Sequence, residues 1–221
     1  MQIIPAKTPG FVKTLFPNFV WNINTDKKEL YLTFDDGPTP EITNWVLQTL
    51  RAYSAKATFF CIGNNIEKHT DIFNNILANG HSIGNHTYDH LKGWKTKTKV
   101  YLGNVELTDS VINFQVQNSE YKDNYDLNDL NLFRPPYGKF KNKQSKKLLK
   151  LGYKIILWDV LSYDWDNSVN EETCLKNVIS TAKKGSIIVF HDSAKASRNL
   201  KYVLPKVLEY YSEKGYVFKA L

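Results

Sequence analysis

Residues 31–38 read Tyr-Leu-Thr-Phe-Asp-Asp-Gly-Pro. An apolar, β-favouring run stops at two adjacent carboxylates, Asp35 and Asp36, followed by a Gly37-Pro38 turn. α/β folds build sites in this way, delivering polar groups at the C-terminal tip of a strand. Neighbouring side chains of a strand point to opposite faces, but where the strand ends the chain bends and both acids can converge. Asp-Gly-Pro is also ordinary turn punctuation, so the surrounding chain has to decide between a site and a loop.

Working outward, strand patterns alternate with helical ones. Thr39 reads as an N-cap with Pro40 at the first helical position, and Ile42, Val46, Leu47 and Leu50 form one apolar face. Seven strands are expected, near Glu29–Phe34, Ala57–Phe60, His81–Gly84, Leu132–Arg134, Tyr153–Trp158, Ser186–Phe190 and Tyr216–Lys219. Between them lie a Thr70-capped helix with Ile72, Phe73, Ile76 and Leu77 inward, and a helix within 95–118 carrying Val100, Leu107, Val111 and Phe114. Further helices are expected at Gln144–Leu151, after an Asn170 cap, and at Val203–Ser212 with Pro205 in the first turn. Asn118–Asn131, rich in Asp, Asn and Tyr, reads as an exposed insertion. Residues 1–27 form an irregular lead-in packed on the domain, and a path across its bottom is one arrangement open to it. The pattern predicts a single α/β domain over residues 28–221 with a parallel sheet, closed or open.

A chain of 221 residues suits one such domain, and its 42% hydrophobic and 23% charged shares are those of a globular protein. The formal charge of +7 is spread over many lysines, the densest run being the amphipathic Lys139–Lys150, which argues against nucleic-acid binding. Cys61 and Cys174 stand in apolar contexts as buried thiols. No apolar run is long enough to span a membrane. No basic and apolar leader opens the sequence, so a cytoplasmic location is expected unless an export signal has been trimmed away.

Titratable groups follow five strands. They are Asp35-Asp36, His86-Thr-Tyr-Asp-His90, Arg134-Pro-Pro-Tyr137, Trp158 with Asp164-Trp165, and His191-Asp192. Chance would scatter them over both ends of the strands, so an enzyme is expected at this face. His86 and His90 are four apart, and on a helical turn both imidazoles would face one way and share a cation, with an Asp oxygen as third ligand. His69 and His81 have no such company and read as structural or surface residues.

These motifs, in this order, resemble the polysaccharide deacetylases, the NodB-homology group or carbohydrate esterase family four. The resemblance runs over about Leu30–Leu221 through Thr33-Phe-Asp-Asp-Gly-Pro38, His86–His90, Arg134-Pro-Pro-Tyr-Gly138, Trp158 with Asp164-Trp165, and Ile188-Val-Phe-His191-Asp. It implies a distorted (β/α)7 barrel and metal-dependent hydrolysis of N-acetyl groups on amino-sugar polymers; a monomer acting on an N-acetylated carbohydrate is expected. Asp35 would be the general base, held by Arg134, while Asp36, His86 and His90 would hold one divalent metal ion, zinc first, with cobalt, nickel or manganese as alternatives. The Tyr137 N–H would face the developing oxyanion, Trp158 would floor the acetyl pocket, and His191 would be the general acid, oriented by Asp164. Val189 stands where the family usually has Leu, which implies a slightly wider acetyl pocket.

The chemistry is coherent on its own terms. Amide hydrolysis needs an activated water, a sink for oxyanion charge and a proton for the leaving amine. An Arg partner favours an ionised base, and a carboxylate neighbour favours a protonated His. Two rivals remain at this level: an O-acetyl esterase on xylan, and a non-catalytic carbohydrate- or polyanion-binding module. Substrate choice is expected to rest on Asn118–Asn131, the segment after His90, and Trp94.

Overall fold

The computed structural model describes residues 5–126 and 130–221, so the first four residues of the lead-in and residues 127–129 of the insertion lie outside it. Seven strands run side by side: β1 (Glu29–Asp35), β2 (Ala57–Cys61), β3 (Ser82–Asn85), β4 (Leu132–Phe133), β5 (Lys154–Ile155), β6 (Val160–Leu161) and β7 (Ile187–His191). Their spatial order is β5-β4-β3-β2-β1-β7-β6, every adjacent pair parallel, and β8 (Val217–Phe218) pairs with the start of β1. The result is the incomplete (β/α)7 barrel that the resemblance implies. Its wall is open between β5 and β6.

Register converts this topology into a site. Asp35 of β1 is aligned with His191 of β7 on one side and Phe60 of β2 on the other, while Cys61 aligns with Asn85 just before His86. Alternation along β1 sends Leu30, Leu32 and Phe34 outward, where they join the helices in the main core. Tyr31, Thr33 and Asp35 point into the barrel. There Tyr31, Phe60, Leu132, Ile156 and Ile187 form a small apolar floor. Phe34 stacks between Phe59 and Phe190 at 5.1 and 5.9 Å. Each such buried ring stabilises the sheet by about 1.5–3 kcal/mol, enough to hold three strand ends rigidly in line.

The open seam is filled by the lead-in, which carries a short helix, α1 (Gly10–Leu15). Lys7 bridges to Val160 and Val20 to Ile156, with the Leu161 N–H donating to the Ala6 carbonyl at 2.8 Å and the Thr8 N–H to that of Asp159 at 2.9 Å. Asp159 is buried there between the ammonium groups of Lys7 and Lys13. The segment therefore completes the edge strands, and its later part, residues 20–23, also packs under the barrel floor, with Asn22 bridged to Ser186 at the start of β7.

Helices α2 (Ile42–Ala52), α4 (Thr70–Ala78), α6 (Asn142–Lys150) and α7 (Glu171–Ile179) lie where their apolar patterns place them, and Asn170 caps α7 through the Thr173 N–H at 2.9 Å. Other boundaries differ. α2 begins after Glu41, because Thr39 gives its main chain to a turn: its N–H donates to Thr43 Oγ1 at 2.8 Å. A short helix, α3 (Gly63–Lys68), precedes α4, and α8 (Ser197–Glu213) starts early enough to make Pro205 an interior residue. The expected fifth strand stops at Ile155, and the separate β6 follows Asp159. On α5 (Thr98–Asn118) the core face is Tyr101, Leu102, Val105, Thr108, Val111 and Ile112, so Val111 lies inward as expected, whereas Val100, Leu107 and Phe114 are exposed. Among the described residues no helix is long and apolar enough to cross a membrane.

Candidate active site

The strand-end residues converge on a cleft of about 360 Å³ at the C-terminal face of the barrel. Asp35, Asp36, His86, His90, Tyr137, Trp158, Val189 and His191 all line it, together with Leu161 and Trp165. Arg134 and Asp164 lie behind the lining, fully buried.

Arg134 fills the barrel interior one layer below the acids. Its Nη1 donates to Asp35 Oδ1 and to Thr33 Oγ1, both at 2.7 Å, its Nε to the Ile156 carbonyl at 3.2 Å and its Nη2 to that of Leu157 at 2.9 Å. The guanidinium lies over the Phe60 ring, 4.2 Å from its centroid. A buried cation is tolerable only when paired and hydrogen-bonded, and here the paired group is Asp35.

The histidine segment is not a helical turn. Thr87 and His90 have left-handed backbones at φ 64° and 54°. The Thr87 N–H donates to Asn85 Oδ1 at 2.8 Å, and the Tyr88 and Asp89 N–H groups to Asn104 Oδ1 at 2.8 and 3.0 Å. Asparagine side chains thus satisfy the donors that a helix would have used. The two rings still face each other at 5.1 Å. His86 Nδ1 lies 2.7 Å from the Arg134 carbonyl oxygen, so it donates there and leaves the Nε2 lone pair directed at Asp36. Burial pushes His86 down to about 4, against the pull of Asp35, so the ring is neutral at physiological pH.

Asp36 Oδ1 stands 3.7 Å from His86 Nε2 and 3.3 Å from His90 Nε2. One ligand atom from each of the three residues lies within 4.8 Å of the others. Oδ1 is shielded from solvent and has no hydrogen-bond partner among the described residues. Burial would raise the Asp36 carboxyl, but the close approach of His90 and the charge of His191 outweigh it and hold it well below the usual carboxylate range. An orphaned, ionised oxygen beside two imidazole nitrogens is a donor set that a divalent cation fits.

Across the cleft, His191 Nδ1 lies 2.9 Å from Asp164 Oδ1, and the His191 N–H donates to Asp164 Oδ2 at 2.7 Å. Ser162 Oγ donates to Asp164 Oδ1 at 2.9 Å and fixes the carboxylate. Burial would lower His191, but the charge and hydrogen bond of Asp164, aided by Asp36 and Asp35, raise it to about 9. A raised pKa stabilises the fold while the ring is protonated. In the metal-free protein the stability gap between wild type and His191→Ala is therefore expected to be full below pH 6.5, the ordinary value, and lost as pH rises through about 9. Urea unfolding of both proteins across that range checks it, and a gap independent of pH would contradict it.

Trp158 lines the cleft because residue 138 is glycine. At φ 62°, a Cβ there would lie 2.2 Å from the indole. Tyr137, half-exposed, has its ring 4.7 Å from that of His90 and edge-on to Trp94 at 5.4 Å, so Trp94 packs against a residue that lines the cleft. The described residues of the insertion, 118–126 and 130–131, are not among those that line it. Tyr125 Oη donates to the Leu77 and His81 carbonyls at 3.1 and 2.8 Å, at the opposite end of the strands. His81 is structural, its Nδ1 accepting from the Ala57 N–H at 3.2 Å. Cys61 and Cys174 are buried free thiols.

Asn85, Asn104 and Ser162, which bind main chain or carboxylates of the site, stand outside the expected site residues, and Asp192, which closes the last motif, has no role assigned by it. Asn directly before a histidine motif is an Asx-turn signal for Asn85. Asn104 and Asp192 act across long sequence separations, and Ser162, two residues before Asp164, is ordinary loop composition.

Comparisons with known proteins agree with this arrangement. A family profile described as polysaccharide deacetylase matches residues 22–156. The peptidoglycan-N-acetylglucosamine deacetylase of Bacillus cereus is 32% identical over 200 residues, covering 90% of this chain and 88% of the relative. The chitooligosaccharide deacetylase of Azorhizobium caulinodans is 30% identical, covering 77% and 76%. A crystal structure of a peptidoglycan N-acetylglucosamine deacetylase in complex with an N-oxidanyl-benzamide superposes with a TM-score of 0.84 at 31% identity, over 97% of this chain and 95% of that one. With five motifs at five strand ends and likeness along nearly the whole length, the chain belongs to the polysaccharide deacetylase family.

Proposed function

We propose that this chain removes acetyl groups from N-acetylglucosamine units of peptidoglycan-type or chitooligosaccharide chains. The observation that carries the reading is the β1–β7 register, which sets Asp35 beside His191 in the cleft that also receives Asp36, His86 and His90. The activities for which the similar proteins are named point the same way.

In this reading Asp36, His86 and His90 hold a divalent cation, zinc by preference for a two-histidine, one-carboxylate set. When bound, such a cation polarises a carbonyl and lowers the pKa of a water. The remaining work belongs to the chain. Asp35, kept in place by Arg134, accepts a proton from the attacking water. The Tyr137 N–H faces the oxygen on which negative charge develops. Trp158, Leu161 and Val189 enclose the acetyl methyl group and exclude bulk water. His191, protonated and held by Asp164, gives its proton to the departing amine nitrogen. Water is consumed, and acetate and a free amino sugar are released.

Acetate release tests this. Chitooligosaccharides and peptidoglycan fragments are expected to be deacetylated, with activity lost on chelation and restored by zinc. Acetylated xylan is expected to react more slowly. Faster reaction on xylan would favour the O-acetyl esterase, and full activity after chelation would sink the mechanism.

A further inference from the structure

The Asp36 backbone sits at φ 82°, in the left-handed region that strains any residue with a Cβ. Such a conformation persists where the surroundings over-determine it. Asn65 Nδ2 donates to the Asp36 carbonyl at 2.7 Å, and the Ile62 N–H to that of Gly37 at 3.0 Å. Asp192 supplies two further bonds. Its Oδ1 accepts from the Gly37 N–H at 3.1 Å, and its own N–H donates to the Asp35 carbonyl at 3.1 Å. It thus grips the chain on both sides of Asp36.

The second carboxylate oxygen is also engaged. Thr43 Oγ1 donates to Asp192 Oδ2 at 2.6 Å and itself accepts from the Thr39 N–H at 2.8 Å. One side chain therefore joins the end of β7, the Asp35–Gly37 turn and the first turn of α2. Asp192 is wholly buried and does not line the cleft. The contact needs glycine opposite, since a Cβ on Gly37 would lie 2.0 Å from Asp192 Oδ2.

We propose that Asp192 is a positioning residue for the candidate metal centre: by holding the Gly37 N–H and the Asp35 carbonyl, it keeps Asp36 left-handed with its carboxylate turned to His86 and His90. This rests on the reading that those three residues bind a divalent cation. Asp192 touches neither the cation nor the substrate.

Calorimetric titration of the metal-free protein with zinc alone tests it, at a temperature where thermal melts show each variant folded. Asp192→Ala is expected to weaken zinc binding about 10–100-fold, the usual effect of losing a group that orients a ligand. Asp192→Asn keeps an acceptor for the Gly37 N–H and an amide to meet the Thr43 hydroxyl, and is expected to recover most of that affinity. If Asp192→Ala does not fold, Thr43→Val removes one anchor of the same carboxylate and is expected to weaken zinc in the same direction. His86→Ala separates the two claims. Zinc binding lost in His86→Ala but unchanged in Asp192→Ala or Thr43→Val overturns the positioning role, as does an Asn variant no better than Ala. Zinc binding unchanged in His86→Ala overturns the metal site itself.

Discussion

Asp35→Asn is expected to bind zinc as tightly as the wild type while releasing acetate about 10²–10⁴-fold more slowly, the range for removing a general base. Asp36→Ala is expected to lose the zinc. The two acids are neighbours in sequence, yet their surroundings divide them. Asp35 is buried against Arg134 Nη1 at 2.7 Å, whereas Asp36 Oδ1 faces His90 Nε2 at 3.3 Å and has no hydrogen-bond partner among the described residues. An asparagine at 35 can still accept from Arg134, so the layer beneath the cleft stays assembled, but it cannot take a proton from water. Calorimetry with zinc and an acetate assay on the same preparations separate the outcomes. Equal loss of zinc in both variants would erase the division of labour.

The site was more legible than the fold around it, for a physical reason. Strand ends in a parallel sheet are marked locally, by an apolar run that stops at titratable and turn-forming residues, so Asp35, Arg134 and His191 announce themselves. β6 does not, because two residues, Val160 and Leu161, are too few to show a period. On α5, Val100, Leu107 and Phe114 repeat every seven residues as cleanly as a core stripe, and only packing against the sheet shows that the neighbouring stripe is buried. The His86–His90 spacing suits a helix equally well. What excludes the helix is Asn104, which takes two main-chain donors from a helix away, and such competition cannot be read along the chain. Composition marks 118–131 as an exposed insertion but carries no information about which end of the barrel a loop closes, and Tyr125 anchors its described part at the end away from the cleft.

Arg134→Met is expected to destabilise the protein by about 3–5 kcal/mol, the cost of breaking a buried ion pair from one side. Methionine can fill the space over Phe60, but it strands the Asp35 carboxylate and frees the Ile156 and Leu157 carbonyls of their donors. The damage should reach the histidines too, because the Arg134 carbonyl fixes His86 Nδ1 at 2.7 Å. Arg134→Lys should fall short of full rescue, since one ammonium cannot reach the four acceptors that the planar guanidinium spans. A double-mutant cycle apportions the loss. Adding Asp35→Asn to Arg134→Met removes the stranded charge, so the double variant should unfold at higher urea than the sum of the single losses implies, with a coupling of about 0.5–3 kcal/mol. Strict additivity would mean that Arg134 stabilises the barrel through the two carbonyls and Thr33 alone, and that its bond to Asp35 is held by the fold rather than holding it.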